Sequence, residues 1–453
     1  MSSSHPDRQN ADLLADLLIV GGTVVTMDAA HRLIDDGAVA IRGDSIMAVG
    51  KRSELSAQYA AQKTLDARGA LILPGLINGH AHAAMSLFRG LADDLALDEW
   101  LQKHIFPAEA HNVNEEFVAR GTRLSVLEML RGGITTYADM YYFEDVVARV
   151  TKEAGMRGIL GETIVDFPAP DNKTPAEALA YAQDYITQWK NDPLISPAVG
   201  PHAIYTCSEK TLLDSAALAR RNQVPILIHI SEALFEIEQS RKKQALSPVS
   251  YLGKIGFLGP DVVAAHCIWV DAADVALLKH FSVGCIHNPS SNMKLASGVM
   301  PVVDFLASGQ AVGLATDGAA SNNSQDIFEE MDTAAKLQKI ARMDPRALPA
   351  VQVVEMATLG GARALHMDKL IGSLEPGKKA DVIFVDTSGP HATPMYDVYS
   401  QLVYALRGSD VKTVIVGGKL LMENHHMLTL DEEQILREAR QYQKKLSAWA
   451  KTK

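Results

Sequence analysis

Residues 70–82 read ALILPGLINGHAH: an apolar run, a Pro74-Gly75 step, and then two histidines one residue apart, His80 and His82. A buried strand over 71–77 followed by that pair is the expectation. Side chains at i and i+2 of an extended segment project to the same side, so both imidazoles can grip one ion without any loop rearrangement. Neutral imidazole is the commonest metal ligand. Alone, the pair is equally compatible with surface or capping histidines, and the rest of the chain has to supply the context.

Downstream, short apolar runs recur at 134–140, 158–164, 196–201, 226–231, 262–266, 283–287 and 311–316, with amphipathic helical stretches between them. Repeated βα units of this kind imply a parallel sheet. With 71–77 they number eight, which close most simply into a (β/α)8 barrel whose active site lies at the C-terminal strand ends. Upstream, residues 17–66 are short β-rich segments with a hairpin at Arg42-Gly43-Asp44, and 372–386 and 411–422 are again strands with glycine-rich turns. The expected organisation is a β-sandwich from 12–69 plus 371–430, a catalytic barrel over 70–370, and a charged C-terminal helix over 431–453.

On that frame the polar residues gather at one rim. His80 and His82 follow the first strand and His202 the fourth. His229 and Glu232 end the fifth in PILIHISE, and His266 ends the sixth. His287 and Asn288 end the seventh, and Asp317 ends the eighth in VGLATDG. His104, His111, His280 and His366 fall in helical or loop contexts and receive no role. Asp317 could simply cap the next helix, yet a carboxylate directly after a buried run is costly unless a cation meets it. The long segment between the first two strands, holding Trp100 and Glu109, reads as a lid.

Composition sets the boundaries. The 453 residues are 47% hydrophobic and 21% charged, as expected of a soluble globular protein. A net charge of −11 argues against nucleic acid or anionic membrane as partner. The N-terminal MSSSHPDRQNAD lacks the form of a secretory signal, so the expected location is the cytoplasm. Cys207, Cys267 and Cys285 are widely spaced with no CxxC, which disfavours both a disulfide framework and a thiolate zinc site. A cytidine-deaminase type of fold is disfavoured too, because its PCxxC motif is absent.

PGLINGHAH, HISE, AAHC and ATDGAASNN in this order resemble the amidohydrolase superfamily over nearly the whole chain. HAHAAMSLFRGLADDLALDEWL, GPHAIYTCS and HNPSSNMKLASG resemble its 5-methylthioadenosine/S-adenosylhomocysteine deaminase branch. The resemblance implies one divalent ion, usually zinc, held by His80, His82, His229 and Asp317, a ligand set that also suits iron or manganese. It implies Glu232 and His266 as the proton-handling pair, with Asp317 helping to orient water. It places Glu109 and His202 on the ribose hydroxyls, and Ser321 near the base or ribose. Trp100, Met85 and Met140 then lie around the 5′-substituent. No lysine ends the fourth strand, where binuclear members of the superfamily often carry one; GPHA stands there, which favours one metal. Homodimers or larger assemblies are expected by the same analogy.

One departure shapes the substrate expectation. Where an arginine for the carboxylate of S-adenosylhomocysteine would be sought in the third strand, the chain reads Gly161-Glu162. A negative charge there would repel that substrate, so 5′-methylthioadenosine is expected to be preferred, with adenosine intermediate. The rival readings are deamination of guanine or a pterin, dechlorination of a triazine, and a barrel scaffold without catalysis.

Overall fold

The computed structural model describes residues 13–450. MSSSHPDRQNAD and the last three residues of the expected C-terminal helix lie outside that range.

Eight parallel strands form a nearly closed barrel: β1 (Leu76–Ala81), β2 (Ile134–Tyr141), β3 (Arg157–Ile164), β4 (Ile195–Pro201), β5 (Ile226–Ile230), β6 (Val262–His266), β7 (Gly284–His287) and β8 (Val312–Leu314). Each strand pairs with its neighbour in chain order, as βα repeats require. At the seam between β8 and β1 a side chain does the joining. Asn78 Oδ1 accepts from Thr316 N (3.0 Å), Asn78 Nδ2 donates to Thr316 Oγ1 (2.7 Å), and Asp317 N donates to His80 O (3.0 Å).

Two buried clusters flank the barrel wall. Inside lie Ile77, Met140, Ile159, Leu227, Val263 and Ile286, closed at the bottom by Leu365, Met367 and Ile371. Outside, residues such as Leu160, Ile164, Ile226 and Ile228 pack against the helices. With both faces covered, each strand reads as an unbroken apolar run. Several barrel helices begin at side-chain caps, among them Asn114, Thr174, Ser208 and Asp271. Such a cap is worth about 1 kcal/mol.

Both chain ends build a separate nine-stranded mixed sheet. Strands Leu14–Val25, Leu33–Arg42, Ser45–Lys51, Ala60–Asp66 and Ala70–Pro74 join Val382–Asp386, Val411–Val416, Lys419–Glu423 and His426–Met427. The expected hairpin is present, with Arg42 paired to Ser45 around Gly43 (φ +57°). Residues from both halves of the sheet, including Ile19, Ile41, Ile72, Phe384 and Ile415, share one core. The far edge returns to the same segment through Ile46 N to Lys378 O (2.8 Å) and Ala380 N to Asp44 O (2.8 Å). The helix Glu432–Ala450 packs along Glu115–Arg131, and no helix among the described residues is long and apolar enough to cross a membrane.

The first strand differs from the expectation. Ala70–Pro74 lies in the terminal sheet, antiparallel to Val382–Asp386, and only from Leu76 does the chain enter the barrel. Gly75 makes the crossing. A Cβ there would stand 2.0 Å from Thr135 Oγ1, so no other residue fits, and its N–H donates to Asp381 O (2.9 Å). His80 therefore belongs to β1 itself and His82 follows it directly.

Candidate active site

At the C-terminal ends of the strands the structure brings His80, His82, His229 and Asp317 together. The three rings lie with centroids 4.8 to 5.4 Å apart. Asp317 Oδ1 stands 3.3 Å from His82 Nε2 and 3.5 Å from His80 Nε2. The outer nitrogens are tied back: His82 Nδ1 donates to Met140 O (2.6 Å) and His229 Nδ1 to His202 O (2.8 Å). Each bond fixes a tautomer that turns the Nε2 lone pair inward. His80 Nε2 is buried with no hydrogen-bond partner.

The charge states agree with a cation site. Burial, then the neighbouring His82, pushes His80 far below the usual imidazole range, and burial with His202 does the same to His229. For Asp317 burial acts upward, but His266, His80, His82 and the Ser291 hydroxyl outweigh it and hold the carboxyl at about 2. Its second oxygen accepts from Ser291 Oγ (2.6 Å) and Ser321 Oγ (3.1 Å). Imidazoles, a carboxylate and an inward nitrogen without a hydrogen-bond partner are the donor set of a divalent metal ion, and the residues present fit one.

The backbone at these positions is unusual. Ser231 (φ 55°), His266 (φ 72°), Cys267 (φ 45°) and Asp317 (φ 62°) are left-handed non-glycine residues just where β5, β6 and β8 end. Such conformations cost roughly 1–3 kcal/mol each and persist where the surroundings impose them, characteristically at functional sites.

Beside the cluster opens a cavity lined by side chains of the strand ends and of the segment between β1 and β2. Glu232 and His266 line it, with Glu232 Oε2 3.8 Å from His266 Nε2. Burial, then the nearby Asp317, raises Glu232 well above the usual carboxyl range, a direction that suits a proton donor. Glu236 holds that strand end by accepting from Ser231 N (3.0 Å) and Glu232 N (2.9 Å). Glu109, from helix Phe106–Asn112, faces the cavity opposite His202 with its carboxyl pushed up to about 8, mainly by burial. His202 is lowered to about 3 by burial, and its Nδ1 meets Thr206 Oγ1 at 3.0 Å.

Trp100, Met85, Met140 and Ser321 also line the cavity. The Trp100 indole N–H is spent on Ala92 O (3.1 Å), which leaves an apolar ring for a ligand. Ser321 Oγ is committed to Asp317 and to Gly318 O (3.1 Å). His287 is buried, has no hydrogen-bond partner on either ring nitrogen, and stays outside the lining. His104, His111, His280 and His366 are exposed on helices and loops away from it.

Glu162 corrects the sequence reading. It shares the outer face of β3 with Leu160 and Ile164, where its carboxyl accepts from Glu144 N (3.1 Å) and Asn172 Nδ2 (3.3 Å). Burial, with Asp171 alongside, raises it well above the usual range, and it stays outside the cavity lining, where it cannot act on a substrate directly. Thr163 is the β3 side chain in the cavity.

Sequence reasoning passed over Tyr141, Tyr142, Thr163 and Tyr205, all of which line the cavity. Their signal was positional, since each stands at or just past a strand end. No lysine or arginine among the described residues lines it.

The description "Amidohydrolase family" matches residues 71–421. This chain belongs to that family. It is 48% identical, over 94% of its own length and 96% of the relative's, to 5-methylthioadenosine/S-adenosylhomocysteine deaminase 1 of Syntrophus aciditrophicus (strain SB). It is 43% identical to the 5′-deoxyadenosine deaminase of Methanosarcina acetivorans, over 96% of this chain and all of that one. Among solved structures, an adenosine deaminase from Xanthomonas campestris with bound zinc superposes with a TM-score of 0.94 at 37% identity, covering 96% of this chain and 99% of that one. For an amidohydrolase the architecture is then as expected: a parallel barrel with a separate sheet built from both chain ends.

Proposed function

We propose that this amidohydrolase is a zinc-dependent hydrolase that deaminates the adenine ring of a nucleoside with a small apolar 5′-substituent, 5′-methylthioadenosine first among them, giving 5′-methylthioinosine and ammonia. The observation that carries the reading is one cavity lined by His82, His229 and Asp317 of the histidine–aspartate cluster, by Glu232 and His266, by Glu109 and His202, and by the apolar side chains of the lid. The names of the relatives support the adenine ring, and the zinc-bound neighbour supports the metal.

His80, His82, His229 and Asp317 would hold the ion. Bound there, zinc supplies a Lewis acid that brings the pKa of water towards neutrality. Glu232 donates its proton to the ring nitrogen next to the amino-bearing carbon, so that carbon becomes tetrahedral without a full negative charge building on the ring. His266 and Asp317 accept the proton of the attacking water and return one to the departing ammonia. Glu109 and His202 meet the ribose hydroxyls, which favours a nucleoside over a free base.

The lid residues Leu97, Trp100, Leu101 and Phe106 offer soft and aromatic contacts to a thioether. With no lysine or arginine among the described residues of the lining, the carboxylate of S-adenosylhomocysteine finds no basic side chain there. The preference for 5′-methylthioadenosine thus rests on a missing positive charge in place of the repulsion first expected from Glu162.

Purified, metal-assayed protein challenged with a panel of adenine nucleosides, guanine, pterins and triazines tests the reading. Ammonia release from 5′-methylthioadenosine, less from adenosine and least from S-adenosylhomocysteine, with about one zinc per chain, is the expected result. Turnover confined to guanine, a pterin or a triazine overturns the substrate class, and equal turnover of the two thioethers overturns the preference.

A further inference from the structure

Behind His266 stand two buried carboxamides that the chemistry above leaves unused. Asn288 lies just past β7 and Asn292 in the short helix Pro289–Lys294. Asn292 Oδ1 is 2.9 Å from His266 Nδ1, while its Nδ2 has no partner. Asn288 Nδ2 lies 3.1 Å from the same ring nitrogen and its Oδ1 is likewise unpartnered. The Asn292 backbone is pinned on both sides, its N–H donating to Asn288 O (3.0 Å) and its carbonyl accepting from Ser297 N (2.9 Å).

An amide oxygen only accepts. The 2.9 Å contact is therefore a hydrogen bond only when Nδ1 of His266 carries the proton; the longer 3.1 Å approach of the Asn288 amide to that nitrogen is then not a hydrogen bond, and that amide is left its 3.4 Å approach to Nε2. A neutral imidazole has a single N–H, so Nε2 then holds the lone pair. Nε2 is the nitrogen that faces Glu232 Oε2 at 3.8 Å, and His266 offers a donor atom within 4.8 Å of those of His80 and Asp317. The left-handed backbone at His266 aims the ring into the cavity, and the carboxamide decides which nitrogen arrives ready to take a proton.

We propose that Asn292 is a positioning residue: it holds His266 as the Nδ1–H tautomer, so that Nε2 can accept the proton of the attacking water. The inference rests on the reading of His266 as proton acceptor in the hydrolysis. It accounts for a buried asparagine whose oxygen is engaged while its nitrogen is idle, an arrangement that general packing does not require.

Asn292→Asp keeps the accepting oxygen in the same place, and Asn292→Leu keeps the volume without it. In the leucine variant kcat is expected to fall roughly 10²-fold, the lower end of what a positioned general base contributes. KM and bound metal should stay unchanged, and the aspartate variant should recover most of the rate. Nitrogen-15 spectra of histidine-labelled protein, with the His266 signal assigned by its loss in His266→Gln, should show the Nδ1–H form in the wild type and in Asn292→Asp. A wild-type Nε2–H signal overturns the proposal, whether or not the leucine variant folds. So does a leucine variant of undiminished kcat, or an aspartate variant as slow as the leucine one. If the wild type turns over no adenine nucleoside, the proposed function fails, whereas the spectra still decide the tautomer.

Discussion

The two ends of the barrel treat buried charge in opposite ways. At the bottom, where β3 begins, Arg157 and Asp381 pair through two hydrogen bonds (3.0 and 3.2 Å) with both side chains 4% exposed. Their remaining capacity is used as well: Arg157 Nη1 donates to Pro193 O (3.0 Å), and Asp381 Oδ1 accepts from Gly417 N (2.7 Å). At the top, His80 Nε2 has no hydrogen-bond partner, burial and Asp317 raise Glu232 well above the usual carboxyl range, and three strand ends are left-handed. The satisfied end fastens the barrel to the terminal sheet. The unsatisfied end is built for something that comes from outside the chain.

The contrast can be broken by substitution. Glu232→Gln should lower kcat by roughly 10²–10⁴-fold, the usual worth of a positioned acid, while the thermal midpoint and bound metal hold steady. A glutamine variant of near-normal rate would remove Glu232 from the chemistry and weaken the contrast at its upper end.

At the lower end, Asp381→Ala strands a buried guanidinium and should cost about 3–5 kcal/mol of stability, read from denaturant unfolding, with kcat per folded molecule unchanged. Replacing the pair by apolar residues of similar volume, Arg157→Met with Asp381→Leu, should restore much of that loss, since buried pairs are often matched by good packing. A single variant as stable as the wild type would mean that the pair contributes no anchoring.

The smallest effect sharpens the comparison through pH. Burial pushes the Glu109 carboxyl up to about 8. Ribose hydroxyls donate to its ionised form, so binding lowers that pKa and releases a proton. Affinity for a nucleoside should therefore rise with pH, by at most about tenfold per unit, and level off above about 8. Calorimetry in buffers of different ionisation enthalpy measures the released proton, and Glu109→Gln should abolish the slope. An affinity that falls as pH rises towards 8 would take Glu109 out of contact with the ribose.

The sequence made the barrel legible for the same reason that it hid some details. Strands such as ILIHI in β5 are buried on both faces, so they stand out as apolar runs, and a histidine or aspartate at the end of such a run is conspicuous. Double burial also erases the alternation that tells one face from the other. Glu162 and Thr163 are neighbours on β3, one turned outward and one into the cavity, and hydrophobicity along the strand does not separate them. The same loss of contrast concealed the passage from the terminal sheet into the barrel, because Ala70–Pro74 and Leu76–Ala81 are both fully buried. Tyr205 and Asn292 were hidden for another reason: their relevance comes from segments past the strand ends, a loop and a short helix, that meet the site only in space.

Gly75 and the strand ahead of it bear on how the protein is made. Ala70–Pro74 finds its antiparallel partner in Val382–Asp386, more than three hundred residues later. While the ribosome is still extending the barrel, the segment leading into His80 has an open edge that nothing yet synthesised can pair on that side. Such distant pairing slows folding and leaves strand edges open to association. The strand that leads into the His80 segment is thus made early, and its antiparallel neighbour arrives only after the whole barrel has been synthesised.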